Sequence, residues 1–197
     1  MKYFPDPEWK QRSPREEKWN VITHSIALGV MLPGMFIASG LPAKLLTGSH
    51  IITFLFSVLY HSSDMDYLRI RYRRLDMACI PLTIAAVGAS YAMATDNSFW
   101  LVCYVPGLFG FAFVIFFYGT KLLEESMVPL CLVSGSLSAV VFLLGGYESN
   151  FVEPFIAGVA AYLVGLLFYI ADRRKWFHTI WHIFVLTGSS IHAIILW

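Results

Sequence analysis

The sequence predicts an all-α, polytopic membrane protein, a bundle of seven transmembrane helices, and three observations lead there. Of its 197 residues, 57% are hydrophobic and only 14% charged, against about 25% charged in soluble domains. The apolar residues gather into seven runs, each close to the ~20 residues that cross ~30 Å of hydrocarbon. The Lys and Arg residues fall almost wholly in alternate loops, the pattern by which cytoplasmic loops hold the positive charge.

Taken in order, residues 1–20 are polar, carry Pro5, Pro7 and Pro14, and read as a cytoplasmic lead-in. Residues 21–197 then form a single transmembrane domain, with spans near 21–39, 45–62, 77–95, 98–120, 127–147, 151–171 and 176–197. The connections are short, and no soluble domain is inserted between them. Pro33, Pro81, Pro106 and Pro129 lie inside or near the ends of spans, where neighbouring helices re-satisfy a kinked backbone. Ser134-Gly135-Ser136 and Gly158-Val159-Ala160-Ala161 suit close helix–helix approach. The first run carries His24 and Pro33 and is followed by further spans, so a cleavable signal peptide is not expected. No internal repeat of the transporter kind is visible. Cys79, Cys103 and Cys131 lie in apolar runs without a paired spacing and read as buried thiols. A net charge of +1 argues against a nucleic-acid partner.

Charge fixes the expected orientation. Lys2, Lys10, Arg12, Arg15 and Lys18 precede span 1; Arg69, Arg71, Arg73 and Arg74 follow span 2; Lys121 follows span 4; Arg173, Arg174 and Lys175 follow span 6. The opposite loops hold only Lys44. The N-terminus is therefore expected in the cytoplasm and Trp197 outside. Topology suffices to explain these arginines without any ligand.

With that orientation, His24, His61, Asp76, His178 and His182 all fall toward the cytoplasmic ends of four spans, with Ser57 one turn deeper than His61. His50 and His192 lie near the opposite interface. Ionisable residues at membrane depth are costly and point to function. His178 and His182, four apart, share one helix face. Three imidazoles, His61, His178 and His182, suit zinc and leave a fourth tetrahedral position open, as in catalytic sites. Zinc lowers the pKa of a bound water to about 7, and Asp76 is the candidate base that takes its proton. Ser57 is placed to hydrogen-bond the water or a developing oxyanion. Substrates at such a site are membrane lipids arriving sideways from the bilayer.

Each residue alone has a plainer reading. A lone histidine at a span end is usually interfacial, Asp76 can pair with Arg73 or Arg74, and Ser57 can bond back into its own helix. Two histidines on different helices can also ligate haem, which leaves Asp76 and Ser57 idle. Glu17, Asn20, Thr23 and His24 recur on one helical face. They are expected to cap and pin the start of span 1, the structural role, with facing the metal cavity as the alternative.

The segments Glu17-x2-Asn20-x2-Thr23-His24, Ser57-x3-His61, Arg74-Leu75-Asp76 and His178-x3-His182, with His192 ten residues on, resemble the hemolysin III family. That family belongs with the adiponectin and progestin receptors and, more distantly, the alkaline ceramidases. The resemblance spans nearly the whole chain in motif order and topology. It implies a seven-helix bundle with zinc held near the cytoplasmic face by His61, His178 and His182, with Asp76 and Ser57 beside it, and a link to hydrolysis of lipid amides. The chain departs from many such proteins in carrying Met77, not histidine, directly after Asp76. No extended N-terminal domain is evident, so binding of a protein hormone is not expected.

Three functions compete. The first is a zinc-dependent hydrolase of a lipid amide or ester. The second is a receptor or regulator of membrane lipid state with structural zinc, and the third is a pore-forming cytolysin, for which no amphipathic pore-lining face is evident. Each is an integral protein of a cell membrane, plasma or bacterial inner.

Overall fold

The computed structural model describes residues 12–145 and 149–197. Lys2, Pro5, Pro7 and Lys10, on which part of the lead-in and of the charge asymmetry rests, lie outside them, as does the expected end of span 5 at 146–147. Seven helices follow one another: α1 (Pro14–Ile37), α2 (Gly40–Ser62), α3 (Asp66–Ala94), α4 (Tyr104–Phe117), entered through a short 3-10 turn (Trp100–Cys103), α5 (Lys121–Leu144), α6 (Ser149–Ile170) and α7 (Phe177–Leu196). All seven expected spans are present, each long and apolar enough to cross a membrane. Among the described residues there is no strand.

The boundaries differ where polar residues extend an apolar span. Helix α1 begins at Pro14, not near Val21, because Ser13 caps it. Ser13 Oγ accepts from Glu16 N at 3.3 Å and the Glu16 carboxylate accepts from Ser13 N at 3.1 Å. Such a reciprocal cap, with proline in the first turn, contributes about 1 kcal/mol. Helix α3 begins at Asp66, well before the apolar run. Its 29 residues make a rod of about 43 Å at 1.5 Å per residue, longer than the hydrocarbon is thick. Hydropathy sees only the buried length. The extra turns carry Arg69, Arg71, Arg73 and Arg74, and Arg69 and Arg74 lie 4.9 and 6.0 Å from the rings of Tyr60 and Tyr118.

Helix α1 packs between α2 and α7; α3 packs on α2, α4 and α5; α6 lies along α7. One apolar cluster joins six of the helices through Met31, Leu46, Phe54, Tyr91, Phe142, Phe155 and Ala193. Lipid offers no hydrophobic gain for helix association, so close backbone approach has to supply dispersion contacts. The α6–α7 crossing shows this. A Cβ on Gly158 would lie 2.4 Å from the His192 ring, and one on Gly188 would lie 2.9 Å from the Gly158 carbonyl oxygen.

His50 and His192 are buried in the bundle, 2% and 0% exposed. His50 Nδ1 donates to Leu46 O at 2.9 Å, so its Nε2 is the acceptor for Tyr162 Oη–H at 3.2 Å. Tyr162 Oη in turn accepts from Ser189 Oγ at 2.9 Å. His192 Nδ1 meets Tyr91 Oη at 3.0 Å. These two sets of bonds tie α2 to α6 and α7, and α3 to α7, and His192 lies about 15 Å along α7 from His182. The ring of Phe54 stands between these bonds and the second polar cluster, 5.8 Å from His50 and 5.1 Å from His24.

Candidate metal centre

At the other end of the bundle, α2 and α7 bring His61, His178 and His182 together. One ring nitrogen from each lies within 4.8 Å of the other two. The ring centroids are 5.3 Å apart for His61–His178, 5.0 Å for His61–His182 and 4.5 Å for His178–His182. His61 and His182 are 4% and 2% exposed and His178 is half-buried. The α-helical spacing of His178 and His182 supplies two of the rings; the α1–α2–α7 packing supplies the third.

What faces each ring from behind decides what it can ligate. His61 Nδ1 lies 2.5 Å from Glu17 Oε2. A carboxylate only accepts, so Nδ1 carries the hydrogen and Nε2 keeps its lone pair. Among the described residues that Nε2 has no partner and is buried. Thr23 Oγ1 uses its hydrogen on Asn20 O at 2.9 Å, leaving a lone pair for His182 Nδ1–H at 3.3 Å. His182 is thereby assigned the same tautomer. His178 Nδ1 is 3.3 Å from Asp172 Oδ2, within ion-pair range though off the line of a hydrogen bond. The Nε2 atoms of His61 and His182 are therefore left for a ligand, and Asp172 stands beside the ring of His178. This is the arrangement by which outer groups orient metal-ligating histidines. The donor set, three imidazoles and no thiolate, could hold a metal ion and suits zinc.

The backing residues are held in turn. Glu17 also pairs with Arg69 of α3 and accepts from Asn20 Nδ2 at 3.3 Å. Asn20 Oδ1 accepts from Thr179 Oγ1 at 2.6 Å, which locks α1 to the first turn of α7. Asp172 accepts from Arg12 Nη2 at 2.5 Å. Burial opposes the Arg12 charge, but the electrostatic pull of Tyr60, Asp172 and Glu17 outweighs it and raises its pKa, so it stays cationic. The chain enters α7 through Trp176, whose φ of 69° is the left-handed conformation that costs a non-glycine residue about 1 kcal/mol. Trp176 N donates to Glu16 Oε1 at 2.7 Å, and Arg15 lies 5.9 Å from its ring.

Of the other residues singled out in the sequence, Asp76 accepts a hydrogen bond from Ser57, and Ser57, 1% exposed, lies one turn before His61 on α2. Asp76 is half-buried and is not one of the residues whose ligating atoms converge. Glu17, Asn20, Thr23 and His24 all face inward toward the histidines, while the capping of α1 falls to Ser13 and Glu16. Arg12, Glu16, Asp172 and Thr179 escape a reading by motif. Asp172 has one signal: it is the only acid between Glu153 and Trp197, six residues before His178 in an otherwise basic loop.

Fold and site together define a class, that of integral multi-pass membrane proteins with a buried three-histidine group between helices. The match to known sequences then names the family. The model of the family described as Haemolysin-III related matches residues 12–193, and the chain belongs to it. It is similar to Hemolysin-3 of Bacillus cereus, 27% identical over 196 residues, covering 90% of this chain and 88% of that protein. It is also similar to the Hemolysin-3 homolog of Bacillus subtilis (strain 168), 26% identical over 193 residues, covering 89% of this chain and 90% of the relative. The seven apolar helices and these relatives make it a protein of the cell membrane.

Proposed function

We propose that this protein is a zinc-dependent hydrolase of a lipid amide or ester, with its site near the cytoplasmic face of the membrane. The observation that carries the reading is the convergence of three imidazoles, one ring nitrogen of each lying within 4.8 Å of the other two. His61, His178 and His182 would hold the ion. A bound zinc supplies a Lewis acid and an acidified water. Asp76 then serves as the base that takes a proton from the attacking water, oriented by the hydrogen bond from Ser57. Glu17, Thr23 and Asp172 hold the imidazoles in register. Substrate enters sideways from the bilayer.

The test is turnover by zinc-loaded protein on a panel of lipid amides and esters, with Asp76→Asn as the control. Turnover lost with zinc retained supports the mechanism; turnover that survives Asp76→Asn defeats it. The near-complete burial of His61 and His182 favours a second reading, a receptor or regulator with structural metal. That reading expects stoichiometric zinc, no turnover and a folding defect on histidine removal. The name hemolysin borne by the two relatives raises a cytolysin, for which liposome leakage independent of the histidines is the deciding result.

A further inference from the structure

His24 has an environment that neither packing nor metal ligation accounts for. It is 5% exposed and lies face to face on His182, with centroids 3.7 Å apart and planes 11° apart. Its other ring neighbour is Phe54. Among the described residues neither of its ring nitrogens has a hydrogen-bond partner. Asn20 and Thr23, just before it on the same helix, are bonded to Glu17, Thr179 and His182. Burying a polar group without a partner is unfavourable, and an apolar ring would make the same stack without that cost. Nor is His24 among the residues whose ligating atoms converge.

A neutral imidazole offers one N–H donor and one lone pair, so whatever satisfies His24 must present both an acceptor and a donor. Resting on the hydrolase reading for the nature of the ligand, we infer that His24 is the contact that binds and positions the polar head of a lipid amide beside the triad. An amide carbonyl accepts from its N–H, and an amide N–H or neighbouring hydroxyl donates to its other nitrogen. A simple ester lacks the donor and leaves that nitrogen unmatched, so the site discriminates amides from esters.

The experiment uses the full chain in nanodiscs, a short-chain ceramide and the matching acyl methyl ester as probes, and three readouts: zinc content, thermal midpoint and probe affinity. His24→Phe keeps the stack and removes both nitrogens. The expected result is unchanged zinc, an unchanged or higher midpoint, and ceramide binding weakened roughly tenfold or more, with weak ester binding little altered. His24→Gln restores a donor and an acceptor and recovers part of the affinity. If His24→Phe does not fold, His24→Leu serves the same comparison. Ceramide binding equal to wild type in the apolar variant, zinc loss in that variant, or no ceramide binding by the wild type overturns the inference. Turnover is scored separately. Binding without hydrolysis by the wild type defeats the hydrolase reading and leaves the His24 contact standing; wild-type hydrolysis with binding indifferent to His24→Phe does the reverse.

Discussion

Glu17 and His61 meet carboxylate to imidazole, Oε2 to Nδ1, at 2.5 Å across 44 residues of sequence. The same carboxylate pairs with Arg69, so one residue of α1 fixes the ring on α2 and the start of α3. Its removal costs the triad a ring orientation and the Nδ1–H tautomer together.

Glu17→Ala is therefore expected to weaken zinc binding by about 10–100-fold, the range for groups that back a metal-ligating histidine. Glu17→Gln, which keeps an acceptor but not the charge, should fall between it and wild type. Chelator competition measures both. An affinity unchanged in Glu17→Ala would mean that His61 does not ligate through Nε2.

Metal removal should lower the thermal midpoint of the wild type, because a ligand that binds only the folded state stabilises it by RT ln(1 + [L]/Kd), about 2.7 kcal/mol at a hundredfold excess over Kd. His182→Ala should start from the lower midpoint and respond to neither chelator nor added zinc. Unfolding curves in detergent with and without chelator make the comparison. A midpoint in the wild type that ignores chelator counts against resident metal.

Much of this was legible in the sequence, and what was hidden has a physical reason. The spans are visible because hydrocarbon demands about 20 apolar residues wherever it is crossed. His178 and His182 are visible because helical spacing puts them on one face, and His61 joins them once charge asymmetry sets the depth. The helical extensions at Pro14 and Asp66 were missed because capping and tertiary ion pairs, not hydropathy, sustain them. Arg12–Asp172 and Glu16–Trp176 were missed because each joins residues 160 apart, a pairing with no period to read.

Tyr162→Phe separates the two polar clusters. It removes the hydroxyl that serves His50 Nε2 and Ser189 Oγ and leaves both buried, at an expected cost of about 1–3 kcal/mol. Zinc affinity should not move, because Phe54 stands between the His50 and His24 rings. Stability and zinc titration on the same preparation decide it; a coupled loss of both would show that the clusters act as one.

Gly158→Ala and Gly29→Ala form a matched pair for packing. A Cβ at Gly158 meets the His192 ring at 2.4 Å, whereas one at Gly29 meets nothing within 4 Å. Overpacking should make the first destabilising by about 1–3 kcal/mol, and the second neutral or stabilising by up to about 1 kcal/mol through helix propensity. Equal effects on unfolding would mean that α6 and α7 are not in the close contact described.

Orientation is tested with single cysteines on a background in which Cys79, Cys103 and Cys131 are replaced. Met65 and Ser98 are exposed at opposite ends of α3. Thirteen of the 14 Lys and Arg residues fall on the Met65 side of the chain, and positive charge stays in the cytoplasm. In intact cells, a membrane-impermeant thiol reagent should label Ser98→Cys, while Met65→Cys labels only after the membrane is opened. The reverse pattern would put the triad at the outer face, where a lipid substrate would be drawn from the other leaflet.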